Sequence, residues 1–288
     1  MTLYRRIRSV LHRPKYVLWC SRFRFRKLAD EPDAWYSQEK PILWAYAGGG
    51  RLHVYGNSRE AIDDSIGHGL KVLELDVALT SDGIPVLTHH FMPGGVAGQY
   101  SRVPPSLDEF MKTPLNGKYT PLSLERFFEL YKSFDGHVSI DPHFMDAHWQ
   151  LEALPRWIAE HATPAQRSRI IYQVFDLKSA LRLSRGTWGF ASLHYSMYEG
   201  VDGEASLWRI PHMLKVLTAS GVRSVSMGEH EISESTRSAI RMFRDAGIHV
   251  SIAGVDSIDR CREWVGAGAD IFNSRLLTPA DMKGVAAS

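Results

Sequence analysis

Glu74 and Asp76 stand two apart in the apolar run 71–77. Alternate residues of a strand share a face, so both carboxylates point the same way. Side by side and out of water they repel, at a cost that a cation would remove. Asp141, in a separate run at 137–141, adds a third carboxylate. Three oxygen ligands on converging strands suit Mg²⁺ or Ca²⁺ better than Zn²⁺. The plainer alternative pairs Glu74 or Asp76 with a nearby lysine or arginine. His89 and His90 end another apolar run and offer a general acid or base. Gly48, Gly49 and Gly50 follow "WAYA", and such a loop can bring backbone N–H groups close to an anion, although a glycine triplet is also an ordinary turn. A cation site facing an anion-binding loop implies phosphate-ester chemistry.

These residues need elements to bring them together. Nine short apolar runs read as strands: 42–47, 71–77, 85–90, 137–141, 169–175, 189–195, 222–227, 249–253 and 270–274. Most are continuously apolar, as strands buried on both faces are. Amphipathic stretches at 58–69, 121–134, 146–161, 176–184, 207–220, 233–246 and 256–267 read as helices. Strands alternating with helices predict parallel βαβ units. Eight such units make an α/β (β/α)₈ TIM barrel, with an open doubly wound sheet as the competitor. The ninth strand is accounted for by 71–77 and 85–90, whose link "ALTSDGI" is too short for a crossover helix and carries an Asp-Gly turn signal. In a barrel the chemistry sits at the C-terminal ends of strands. Gln173, His194, Tyr195, Ser226 and Asn273 fall near such ends, and His194 is a candidate to line the pocket. His68, His161, His212 and His249 lie on helices or at strand starts and read as structural. His137 begins its strand, the wrong end for catalysis.

The run "GNSREAIDDSIGHGLKVLELDVALTSDGIPVLTHH" resembles the glycerophosphodiester phosphodiesterase family. That family's pattern is Asn-Ser/Thr, a helix, a Gly, then Glu-x-Asp-Val, Thr-x-Asp-Gly, Val and His-Asp. The preceding "AGGG" resembles a subgroup reading Ala-His-Ala-Gly-Gly-Gly. Phosphatidylinositol-specific phospholipase C and the phospholipase D of spider venoms are broader relatives. The match is dense from about 43 to 90 and continues loosely to "GADIFNS". The resemblance implies that Glu74, Asp76 and Asp141 hold a divalent cation, Mg²⁺ or Ca²⁺. It implies that His89 is one of two histidines acting on the phosphodiester. Gly48, Gly49, Asn57 and His143 are candidates to contact the phosphate. Three positions depart from the pattern. Tyr46 stands where the family's first histidine ends strand one, His143 where a lysine follows the strand-four carboxylate, and His90 where an aspartate follows the second histidine. Tyrosine, with an ordinary pKa near 10, is a poor base at neutral pH but can serve as an acid. His53 and His90 are candidates to replace the missing histidine in space.

Two functions follow. One is a metal-dependent hydrolase of glycerophosphodiesters or related lipid phosphodiesters. The other is a barrel that binds a phosphodiester or phospholipid head group without cleaving it. The attacking group could be water or a hydroxyl of the substrate.

Composition limits the partners. The 288 residues carry a net charge of +2, which gives no sign of nucleic acid. Cys20 and Cys261 are far apart and make no disulfide framework, so a reducing compartment fits. Neither a membrane span nor a signal peptide is legible, and a cytoplasmic protein is expected. Residues 1–37 read as a basic amphipathic segment before the barrel domain at 38–288. Within it, residues 1–28 hold nine Lys/Arg and no acid, with apolar and aromatic residues between them. Such a segment could contact an anionic membrane surface or a partner, or simply pack on the barrel with its arginines in water.

Overall fold

Eight of the nine strands pair in parallel and close on themselves. A computed structural model describes residues 14–31, 34–51, 55–91, 101, 103–143, 148–197 and 207–285. The strands are β1 (Ile42–Ala45), β2 (Val72–Leu79), β3 (Pro85–Leu87), β4 (His137–Pro142), β5 (Ile170–Val174), β6 (Ser192–Ser196), β7 (Val222–Gly228), β8 (His249–Ala253) and β9 (Ile271–Ser274). Their order is β1-β9-β8-β7-β6-β5-β4-β2, and β1 also pairs with β2, which closes a barrel. β3 lies outside the ring, antiparallel to β2, with Val77 opposite Leu87 and Leu79 opposite Pro85. The fold is therefore the expected (β/α)₈ TIM barrel with one hairpin strand.

Helices fill the crossovers. α1 covers 14–20 among the described residues. α2 (Arg59–Gly67), α3 (Leu107–Lys112), α4 (Leu124–Leu130), α5 (Leu154–His161), α6 (Pro164–Arg167), α7 (Leu177–Leu183), α8 (Ile210–Ala219), α9 (Glu234–Asp245) and α10 (Ile258–Gly266) follow. Their starts are set by side chains that accept from backbone N–H groups with no helical partner. Ser58 accepts from Ala61, Ser123 from Arg126, and Asp176 from Lys178 and Ser179. The apolar faces of strands and helices meet in one large cluster that includes Leu73, Leu75, Ile140, Val225, Ile252 and Phe272.

The inside of the barrel is different. A small cluster of Trp35, Tyr36, Ile42, Trp44, Val72, Ile171 and Ile271 fills the end where the strands begin. Trp35 donates to the Ser192 hydroxyl and packs edge-on against Trp44 at 5.3 Å. Beside it, Asp270 is surrounded by Lys40, Arg244 and His249. A plugged end leaves the opposite one, where the strands finish, for function.

Candidate active site

β2 and β4 run in register, with Glu74 opposite Ser139 and Asp76 opposite Asp141. That register, which no local pattern reveals, brings the three carboxylates together. Glu74, Asp76 and Asp141 each offer an oxygen within 4.8 Å of the others. All three are buried. Glu74 accepts from the Ala47 N–H at 2.7 Å and from Gln173 at 3.3 Å. Asp76 is held on two sides by Asn57, whose amide donates to it at 2.7 Å and whose oxygen accepts the Asp76 N–H at 3.0 Å.

His143 stands two residues beyond Asp141, and its N–H donates to the Val77 carbonyl at 2.8 Å. Its Nε2 lies 3.0 Å from Asp76 and 3.2 Å from Asp141. Burial would lower its pKa, but the bonds to Asp141 and Asp76 outweigh burial and push it up to about 10. His143 therefore carries a positive charge at neutral pH. It faces the carboxylates as a lysine would.

Burial, then Asp76 and Asp141, raises the Glu74 carboxyl well above its ordinary range. Burial also raises Asp141. Asp76 is likewise pushed up by burial, but the His143 and Asn57 bonds prevail and hold it low. The cluster thus carries less than its full negative charge unless a cation joins it. One oxygen of Asp141, Oδ1, is buried without a hydrogen-bond partner among the described residues. Three oxygen donors with one lone pair unanswered fit a hard divalent cation. Asp76, His89 and His143 also converge, but a protonated His143 has no lone pair to offer a cation.

The hairpin explains how His89 arrives here. β3 turns back along β2 until the Thr88 N–H donates to the Asp76 carbonyl at 3.0 Å. The next residue then lies over the mouth. The His89 ring is 4.2 Å from His143 and 4.0 Å from His90, centre to centre. Burial holds its pKa down to about 4, so it is neutral at pH 7. His90 is lowered in the same way. The run expected as strand to residue 90 ends at Leu87, because the chain must bend there to bring both rings over the site.

Strand β1 likewise stops at Ala45, two residues earlier than expected. Tyr46–Gly48 forms a tight turn, and Ala47 takes a φ of 52°. Tyr46 sits at the mouth. Burial, then Glu74 and Asp76, pushes its pKa up to about 12. It is a hydrogen-bond donor, not an anion.

Arg275 is a site residue that strand-end reading passed over. β1 and β9 pair with Ala45 opposite Ser274, so the next residue of each strand meets at the mouth. The Arg275 guanidinium lies 4.8 Å from the centre of the Tyr46 ring. It has no carboxylate partner among the described residues. Its only sequence signal was its place just after the last strand.

Four expected contacts are relocated. Asn57 is 2% exposed and is engaged by Asp76, so it positions a carboxylate where a phosphate contact was expected. Gly48 and Gly49 pack against α2. A Cβ at Gly49 would meet the Ser65 hydroxyl at 2.1 Å, and one at Gly48 would meet Ile62 at 3.0 Å. The glycines permit this approach, and the loop's Ala47 N–H is aimed at Glu74, where an anion cradle was expected. His194 is fully buried inside the barrel, donating to or accepting from Ser224 at 2.7 Å and resting on Trp44 at 5.1 Å. It belongs to the barrel's polar interior and does not line the mouth. His53 falls outside the described residues.

Comparison with known proteins bears on the family and the fold. The model of the glycerophosphoryl diester phosphodiesterase family matches residues 47–272. No curated protein matches the chain. Solved structures share the fold at low identity. A glycerophosphoryl diester phosphodiesterase from Parabacteroides distasonis is 16% identical with a TM-score of 0.64, over 91% of this chain and 88% of that one. A phosphodiesterase from Oleispira antarctica, solved with the product sn-glycerol-3-phosphate, is 16% identical with a TM-score of 0.64, over 88% and 99%. A glycerophosphodiester phosphodiesterase from Thermotoga maritima is 18% identical with a TM-score of 0.60, over 83% and 95%. The family match spans most of the chain, so the chain belongs to the glycerophosphoryl diester phosphodiesterase family.

Proposed function

We propose that this member of the glycerophosphoryl diester phosphodiesterase family is a divalent-cation-dependent hydrolase of glycerophosphodiesters or related lipid phosphodiesters. The observation that carries the reading is the buried triad Glu74, Asp76 and Asp141 with His89 above it. The triad would hold Mg²⁺ or Ca²⁺, which would neutralise phosphate charge and polarise the phosphorus–oxygen bonds.

The chain's own groups then divide the proton work. His89, neutral at pH 7, would take a proton from the attacking hydroxyl, whether water or a neighbouring hydroxyl of the substrate. Tyr46 stands in for the family's first histidine. Its pKa of about 12 suits an acid, so its hydroxyl would protonate the leaving alkoxide. Arg275, stacked on Tyr46, would hold the phosphate oxygens. His90 and His143 would shape the site, His143 as the fixed positive charge on Asp76 and Asp141. A cytoplasmic location, with residues 1–28 in peripheral contact with a membrane, belongs to the same proposal. The two buried, unpaired cysteines support a reducing compartment.

The test is turnover of glycerophosphocholine, glycerophosphoinositol and lysophospholipids with Mg²⁺ or Ca²⁺ supplied. Wild type should release a phosphomonoester where water attacks, or a cyclic phosphate where a neighbouring hydroxyl of the substrate does, and chelation should stop either. An inert wild type beside an active Tyr46→His variant would overturn the reading and leave a barrel that binds without cleaving.

A further inference from the structure

We propose that the face built by residues 14–27 docks the protein peripherally on an anionic lipid surface. The inference deepens the proposed function by naming where the substrate is met. These residues include Lys15, Arg22, Arg24, Arg26 and Lys27 and no acid. All five are exposed, and none is paired with a carboxylate among the described residues. The charge is local, since the whole chain carries only +2.

Apolar groups emerge among these cations. Leu18 is 66% exposed and Phe25 50%, two of the four large hydrophobics so exposed among the described residues. They are not held out for want of a core. Tyr16, Trp19, Phe23 and Leu28 from the same segment pack onto the barrel, and Cys20 is fully buried. The inward side therefore anchors the segment, and the outward side combines positive charge with bare apolar surface. Head-group phosphates answer the first and the acyl boundary answers the second. A nucleic acid or an acidic protein would answer the charge but gives Leu18 and Phe25 less reason to stand out.

The face also has a useful position. α1 starts beside Trp208, with ring centres 5.9 Å apart, just ahead of α8 on the side where the strands end. The segment then runs down the flank until the Leu28 N–H donates to the Ala246 carbonyl, just before β8 begins. One end of the face thus reaches the rim that carries the site.

The experiment is co-sedimentation of the full chain with phosphatidylcholine vesicles and with an equal mixture of phosphatidylcholine and phosphatidylglycerol. Wild type should bind the mixed vesicles and ignore the neutral ones, and added salt should release it. Each basic residue at an anionic leaflet strengthens binding about fivefold, so Arg24→Gln/Arg26→Gln should weaken it about 25-fold. Leu18→Ser/Phe25→Ser should weaken it at unchanged charge. All these side chains are exposed, so folding should be unaffected, as thermal melts would confirm. Absent or lipid-independent binding by wild type, or binding indifferent to both variants, would overturn the proposal. So would tighter binding to a duplex oligonucleotide that ignores Leu18→Ser/Phe25→Ser. Hydrolysis of soluble glycerophosphocholine by the same variants should match wild type. Vesicle binding without any soluble turnover in wild type would sink the hydrolase and spare the docking.

Discussion

Tyr46 separates chemistry from scaffolding at the scale of single residues. Its hydroxyl is kept protonated by burial and by the carboxylates beside it. If it donates to the leaving oxygen, Tyr46→Phe should lower kcat by roughly 10²–10⁴ and leave divalent-cation affinity alone. An unchanged kcat would remove Tyr46 from the reaction. With a pKa near 12, Tyr46 should also impose no alkaline limb on the rate below about pH 11. Arg275 makes a different prediction. A lost charge-assisted hydrogen bond costs about 1.5–3 kcal/mol, so Arg275→Gln should raise KM by tenfold or more. Arg275→Lys should recover part of that, and a KM unmoved in both variants would exclude the phosphate contact. The carboxylates were legible in the sequence because Glu74 and Asp76 obey the strand period. Arg275 was not, and Asn57 was expected at the phosphate, not on Asp76. Arg275 meets Tyr46 only through the β1–β9 register, and Asn57 reaches Asp76 from a loop 19 residues away.

At the scale of elements, strand–helix alternation was readable almost throughout, because buried parallel strands are continuous apolar runs. The ends were harder. β1 and β3 stop short where Tyr46 and His89 must turn into the mouth, and hydropathy does not register such a turn. The glycine loop shows why its functional reading was too direct. Gly49 has a φ of +106° and sits where a Cβ would strike Ser65 of α2. Its absence of a side chain serves a helix–loop contact, which in turn aims the Ala47 N–H at Glu74. Gly49→Ala should therefore destabilise the fold by about 1–3 kcal/mol. Adding Ser65→Ala should return part of the loss by removing the struck hydroxyl. Chemical denaturation of the single and double variants measures both. If Gly49→Ala melts like wild type, the close approach is not what the glycine is for.

For the whole molecule, the interior of the barrel is where sequence reading had least to hold. His194 looked like a strand-end residue, yet the barrel closes over it, and burial takes its pKa down to about 3. His137, at the start of β4, is lowered to about 4 by burial and Arg169. Both rings stay neutral in the folded protein, while in the unfolded chain they take protons near pH 6.5. Below that pH the unfolded state binds more protons, so folding stability contributed by these rings is present above pH 6.5 and is lost as pH falls towards 3–4. Each ring can add a slope of up to about 1.4 kcal/mol per pH unit. Glu74 and Asp141 act in the opposite sense, since their raised pKa values favour the folded state at low pH. The two effects overlap in wild type alone, and a variant separates them. With chelator present, the unfolding free energies of wild type and His194→Gln should converge as pH is lowered from 7 to 4. Wild type should lose more than the variant through that range, with a slope difference that rises to about 1.4 kcal/mol per pH unit below pH 6. Parallel curves would mean that His194 keeps its ordinary proton affinity inside the barrel. Its Nε2, which has no protein partner among the described residues, would then have to be reached by water.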